Sequence, residues 1–188
     1  MTHSLRAFCI MTGLSIGCGS GVSSDEQARL AYLGLDASID KAISLGFAGF
    51  NAANSANIPA QMTVGVASGT ITVTGQVDQG ASANKGMRLF EELINYSDDG
   101  KLVYATSASA LPALNMQLKG IPTGTLDGNL VGAFAVAGEL SGSVQLNLTF
   151  TGMLQAGTGT KVERKPGTTR ITGTATSGTG VYKVDVTR

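Results

Sequence analysis

Two periods of apolar residues divide the chain. From Ser24 to Phe50, Leu30, Leu33, Leu35, Ile39, Ile43, Leu45, Phe47 and Phe50 fall at helical spacing. Ser24 is a fitting N-cap, and Asp25 and Glu26 follow in the first turn, where acids meet the positive end of the helix dipole. Gly34, Gly46 and Gly49 weaken the stripe, so one frayed helix or two shorter ones would satisfy it. Asn51 to Pro59 reads as the exit loop, because Asn and Pro favour non-helical backbone.

Beyond Pro59 the period falls to two. Leu114, Met116 and Leu118 alternate with Asn115, Gln117 and Lys119; Leu140, Val144, Leu146, Leu148 and Phe150 alternate with Ser, Gln, Asn and Thr. Shorter runs of this kind occur at 70–78, 101–106, 125–138, 170–176 and 181–187, and residues 62–67 add another. The segment 87–96 is ambiguous, since Leu89, Phe90, Leu93 and Ile94 would also suit one helical face. Turn signals at Asp98-Asp99-Gly100, Asp127-Gly128, Lys165-Pro166-Gly167 and Ser177-Gly178-Thr179-Gly180 separate the runs. Connections this short cannot hold crossover helices, so the strands pair antiparallel in chain order.

The expected fold class is therefore α+β: an N-terminal helix followed by a curved antiparallel meander sheet, or partial β-barrel, of about eight strands. Gly128, Gly132, Gly138, Gly142 and Gly152 share the parity of the apolar residues. Glycine on a buried face permits curvature or the close approach of another element, here the helix. A helix inside the curve leaves no ligand cavity; a helix outside it would let the sheet hold one small apolar ligand. The glycine positions favour the filled version.

Composition limits the function. A chain of 188 residues suits one domain, and 43% apolar content is too high for disorder. Thirteen basic and thirteen acidic residues cancel, and only 14% of positions are charged, so there is no basic field for nucleic acid. Glycine-rich, Trp-free composition fits strands joined by tight turns.

The first residues carry an address. Met1 to Arg6 hold one positive charge and no acid, and Ala7 to Ile16 form an apolar run of signal-peptide length, about half of what a membrane-spanning helix needs. It ends in Leu14-Ser15-Ile16-Gly17-Cys18-Gly19-Ser20-Gly21. This stretch resembles the lipobox of bacterial lipoproteins, with Ser15 where Leu is most usual. The resemblance covers about a tenth of the chain and implies three segments: a signal peptide over 1–17, a lipidated tether over 18–24, and a single helix-plus-sheet domain over 25–188. It also implies that the Cys18 thiol carries diacylglycerol and that cleavage precedes it. Gly19, rather than Asp, next to the cysteine would permit sorting to the bacterial outer membrane. Two acyl attachments exceed the threshold for stable anchoring.

Removal of the leader would take Cys9 and the sole histidine, His3, with it. Cys18 would then have no disulfide partner, and a thioether would protect it from oxidation. Ser-His-Asp and Cys-His catalysis and His/Cys zinc sites would be lost as well. Among carboxylates, Glu91 and Glu92 would face opposite ways on a strand, and Asp98-Asp99 sits in turn sequence. Asp78 to Lys85 has the oxygen-rich look of a calcium loop, but Leu89 stands where an EF-hand needs its bidentate Glu. Asn84-Lys85-Gly86 lacks the remainder of a phosphate-binding loop. A transmembrane barrel is disfavoured by the lack of aromatic girdles.

No catalytic, metal or cofactor residue is therefore expected, and Cys18 is the one residue given a chemical role. The chain is expected to be a non-catalytic cell-envelope lipoprotein whose domain contacts the membrane through its anchor and engages an envelope protein. The alternative is a carrier for a small apolar ligand such as a lipid.

Overall fold

A computed structural model describes residues 23–188, so the leader and Cys18 lie outside the described residues. Among the described residues two shorter helices, in place of a single N-terminal one, precede the sheet: α1 (Ser24–Leu33) and α2 (Asp36–Ala52). Ser23 rather than Ser24 caps α1, its hydroxyl accepting the Glu26 N–H at 3.3 Å. The break falls at Gly34, directly over Tyr104: a Cβ there would sit 2.2 Å from the phenolic oxygen, which donates to the Ala31 carbonyl at 2.8 Å. The missing side chain at Gly34 thus leaves room for the Tyr104 hydroxyl where α1 gives way to α2.

Ten strands follow: β1 (Gln61–Val64), β2 (Ser68–Val77), β3 (Lys85–Ser97), β4 (Leu102–Ala105), β5 (Ala113–Lys119), β6 (Thr125–Gly138), β7 (Gly142–Ala156), β8 (Val162–Arg164), β9 (Arg170–Ser177) and β10 (Gly180–Thr187). All pairings are antiparallel, in the order β1-β2-β3-β4-β6-β7-β9-β10. β5 pairs with β3 and β6, in the same lane as β4, and β8 pairs with the end of β7. Ten strands thus occupy eight lanes and a side branch. The pairing path ends at β1 and β10, so among the described residues it does not close into a ring.

The ambiguous 87–96 segment is strand. As a helix it would satisfy its peptide groups locally; as β3 it links β2 on one side to β5 on the other. Met87, Leu89 and Leu93 face the core, while Phe90 and Ile94 face out. Asn95, at φ 49°, inserts one extra residue, so Tyr96 instead of Asn95 points inward.

The core lies between the sheet and the helices. α1 packs on β7, β9 and β10; α2 packs on β1, β2, β3 and β8. Leu114, Met116, Leu130, Leu146 and Leu148 meet Leu35, Ile39, Ile43 and Phe47 of the helical layer. Full burial of each such side chain stabilises by about 1.5–3 kcal/mol. The expected role of the sheet glycines needs correction. The space over Gly128 is taken by the Phe150 ring from the neighbouring strand, and that over Gly132 by Pro112. Close helix approach comes from Gly46 of α2, where a Cβ would meet Met116 Sδ at 2.8 Å and Leu89 Cδ1 at 2.9 Å.

Candidate functional site

The sheet has one end that gathers several turns. The antiparallel register brings together residues 65–67, 98–101, 139–141 and 178–179. α1 begins at the same end: Asp25 accepts the Val181 N–H at 2.9 Å, and Gly180 lies against the Ser24 backbone. Cys18, the single site residue expected from the sequence, is therefore five positions ahead of Ser23 at this rim and outside the described residues.

A polar cluster organises one corner of the rim. Lys41 on α2 donates to Asp98 at 2.7 Å and to Tyr96 Oη at 2.9 Å, while Tyr96 donates to the other Asp98 oxygen at 2.5 Å. Asp98 also accepts the Val66 N–H at 2.8 Å. Burial alone would raise the Asp98 pKa, but the bonds from Lys41, Tyr96 and Val66 outweigh it and hold the carboxyl below its ordinary value. Burial, and then the hydrogen bond to Asp98, push the Tyr96 phenol up. The arrangement ties α2 to the β1–β2 and β3–β4 turns. Every strong donor and acceptor in it is engaged within the cluster.

The candidates weighed from sequence fall out as follows. Glu91 and Glu92 do face opposite ways, with Glu91 in the core and Glu92 on the open face. Asp99 accepts the N–H groups of Lys101 and Leu102, as a turn residue does, and these bonds override the upward effect of its partial burial. In the 78–85 loop, Asp78 accepts the Gly86 N–H, Ser82 accepts the Asn84 N–H, and the Asn84 side chain accepts the Gly120 N–H. Its oxygens thus accept from backbone N–H groups within the loop and from the neighbouring turn at Gly120. Among the described residues no group of three or more His, Cys, Asp or Glu side chains is placed to hold a metal ion.

A serine–lysine pair is not expected from the sequence, yet Ser-x-x-Lys spacings do occur at Ser38/Lys41 and Ser82/Lys85. Neither is assembled as a nucleophile and base. Ser38 is buried and donates to the Leu35 carbonyl at 2.8 Å, while Lys41 is turned to Tyr96 and Asp98. Lys85 reaches the Gly80 carbonyl instead of Ser82.

Glu91 is the chemical outlier. It is 0% exposed, lies between Leu89 and Leu93 on the inward face of β3, and neither carboxyl oxygen has a hydrogen-bond partner. Desolvation raises its pKa to about 8, so the carboxyl is neutral at pH 7. Opposite it the β4–β5 lane is interrupted, and its N–H bonds the Pro112 carbonyl at 3.0 Å. Glu91 does not line any of the three main clefts among the described residues. One, of about 410 Å³, runs between Leu30, Leu33 and Leu140 at the rim. Another, of about 440 Å³, opens between α2 and β8 at the far end, beside Phe47, Asn51 and Arg164. There Asn51 pairs its amide with both backbone groups of Val162, at 2.8 and 2.9 Å, and Arg164 is neutralised by Asp40.

One surface feature escaped the sequence reading. Met62 and Val64 on edge strand β1 point to the open face, each 63% exposed, and Val66 at the following turn is 82% exposed. The signal was present as an absence of charge: no Asp, Glu, Lys or Arg occurs from Ala42 to Val77.

Neither a family model, nor a curated protein, nor a solved structure matches this chain.

Proposed function

We propose that the chain is a bacterial cell-envelope lipoprotein, held at a membrane surface, in the outer membrane by the Gly19 signal, through lipid on Cys18. Its folded body is a non-catalytic structural or interaction domain. On this reading the sheet curves around α2 as a partial barrel, and the filled interior is the observation that carries the choice. Gly46 brings α2 into contact with Met116 and Leu89, and Ile39, Ile43 and Phe47 occupy the space a carried ligand would need. The two larger clefts lie at the margins and open to solvent. What remains for contact with other molecules is the outer surface, presented by a rigid scaffold. The position of the α1 N-terminus suits the anchor, since residues 19–22 would link Cys18 to a rim of turns instead of to a strand or the core.

The test is intact mass of the protein from the membrane fraction of its host, wild type against Cys18→Ser. The expected wild-type chain begins at Cys18 and carries added diacylglycerol and acyl mass; the variant remains unlipidated and leaves the membrane fraction. A wild-type chain beginning at Met1, or without lipid mass on Cys18, overturns the anchor.

A further inference from the structure

We infer that the cleft between α2 and β8 is a binding site for a small monocarboxylate with an apolar body. The cleft is built by a departure from the main sheet. β7 runs past its ladders with β6 and β9, which end at Met153 and Thr151, and its last residues, Leu154–Ala156, pair with β8. The hairpin so formed lies on α2. Asn51 fixes the two walls to each other, its side chain accepting the Val162 N–H at 2.9 Å and donating to the Val162 carbonyl at 2.8 Å. The space left between them, about 440 Å³, is of the size that small-molecule sites use.

The polar groups left over in this cleft are donors. Asn51 is spent on Val162, and Ser44 donates to the Asp40 carbonyl at 2.9 Å. Arg164 has a side chain only 15% exposed; its Nη2 donates to Asp40 and reaches Ser44 Oγ at 3.5 Å, while Nη1 is buried with no acceptor among the described residues. A charged donor left in this state is costly, and an acceptor supplied by a ligand removes the cost. Lys161, at the mouth, is exposed and forms no ion pair among the described residues. Nη1 is covered, so the carboxylate has to turn the guanidinium about its contact with Asp40 to reach that nitrogen.

Charge sets the class of ligand. Lys161 and Arg164 bring two positive charges and Asp40, bonded to Arg164, takes one away, which leaves a single charge to be met. That is the charge of a carboxylate, not of a phosphate dianion. Glu163 also borders the cleft, but alternation along β8 puts it on the face opposite Arg164, exposed, with its carboxyl turned to Gln155 at 3.4 Å and to the Gly157 turn, where water screens it. The last turn of α2 runs beside the cleft and its partial negative charge opposes an anion, but charge-assisted bonds from two cations are the stronger effect. Phe47, Ala48 and Ala52 form the α2 wall and ask for an apolar body.

This goes beyond the function proposed above and does not depend on the anchor. Hydrocinnamate, a carboxylate on a short aromatic body, is titrated into the detergent-solubilised full chain and followed by amide chemical shifts. The expected result is saturable shifts at Ala48, Ala52 and Lys161 with Kd on the order of 0.1–1 mM, for wild type and for Cys18→Ser alike. Lys161→Gln, at an exposed side chain, should keep the circular dichroism spectrum and bind about fivefold more weakly. Arg164→Lys keeps a cation for Asp40 but removes the second nitrogen, and should bind about tenfold more weakly; if it fails to fold, Lys161→Gln alone decides. Hydrocinnamyl alcohol, the uncharged analogue, should give no saturable shift at these amides. A wild-type chain without saturable shifts up to roughly 20 mM hydrocinnamate overturns the inference, as does equal binding of the alcohol or unchanged affinity in Lys161→Gln. Displacement of hydrocinnamate by an equal concentration of inorganic phosphate would make this a phosphate site and equally overturn it. Absence of lipid on Cys18 would leave every one of these results as it stands.

Discussion

The two flanks of the sheet are built differently from the same alternating pattern. On the flank of β6, β7, β9 and β10 the ladders run in unbroken register, Leu130, Leu146, Leu148 and Ala175 face inward, and threonines such as Thr149 and Thr172 face out and touch at 3.2 Å. Its edge ends in a charged cross-strand pair, Arg170–Asp185. On the β1–β3 flank the register shifts at Asn95, an ionisable side chain lies unpartnered in the core, and the edge is apolar. Regularity suffices where a strand only has to pack. The irregularities gather where a helix, two turns and an exposed apolar tip are joined through Lys41, Tyr96 and Asp98. Natural proteins tolerate local inconsistencies of this sort mainly where a surface has a use.

The sharpest way to break the contrast is through Glu91. Its folded pKa of about 8 lies above the ordinary 4.5. Below pH 4.5 both folded and unfolded chains hold the proton and there is no penalty; between 4.5 and 8 only the unfolded chain ionises, and stability falls as pH rises. The loss should reach roughly 5 kcal/mol by pH 9. Urea unfolding from pH 4 to pH 9 should therefore show a declining midpoint for wild type and a much flatter one for Glu91→Gln. Glu91→Leu, which removes the unpartnered polar atoms, should be the more stable variant at pH 9. Equal pH slopes for wild type and Glu91→Gln would mean that the carboxyl finds water or a partner.

A smaller effect is expected at Asp98. Removing it by Asp98→Ala frees the Val66 N–H and leaves Lys41 and Tyr96 without their acceptor, at a cost of about 2 kcal/mol. Because its pKa is depressed, the contribution is present above the ordinary carboxyl value and disappears as pH falls through the lower folded value. Urea midpoints at pH 7 and at acid pH should show the gap between wild type and variant closing at the acid end. Hydrogen exchange should rise first at Val66 and Ala67; uniform loosening of the sheet would show that the cluster stabilises the whole fold instead of this corner.

Smallest is the charged pair on the other flank. Arg170 and Asp185 are fully exposed, so their 2.8 and 2.9 Å bonds should add nothing measurable to stability. Asp185→Ala should unfold at the wild-type temperature. Charge on an edge strand disfavours pairing with other chains, so aggregation on storage is the measurement in which a difference should appear.

Much of the fold is legible in the residues. The helical stripe and the two-residue alternation mark where the sheet begins, and the short turn-forming connections imply an antiparallel meander. Three things were not. The clearance needed at Gly34 comes from Tyr104, seventy residues away, whose hydroxyl reaches Ala31. The strand character of β3 depends on partners on both sides, which local pattern cannot supply. The burial of Glu91 without a partner appears only once Leu89, Leu93 and the interrupted β4–β5 lane surround it. The reading of Cys18, by contrast, rests wholly on neighbouring residues.

Composition and periodicity along the chain thus determined most of the elements and their order, β3 excepted, and the sequence carries no histidine or cysteine after residue 18, because these follow from local composition and spacing. Only tertiary structure decided which edge is left bare and which carboxyl is stranded, and that Phe150 and Pro112, not the helix, cover the sheet glycines. Those outcomes depend on contacts between residues far apart in sequence, and pairwise distance in space is the one quantity that alternation along a strand does not encode.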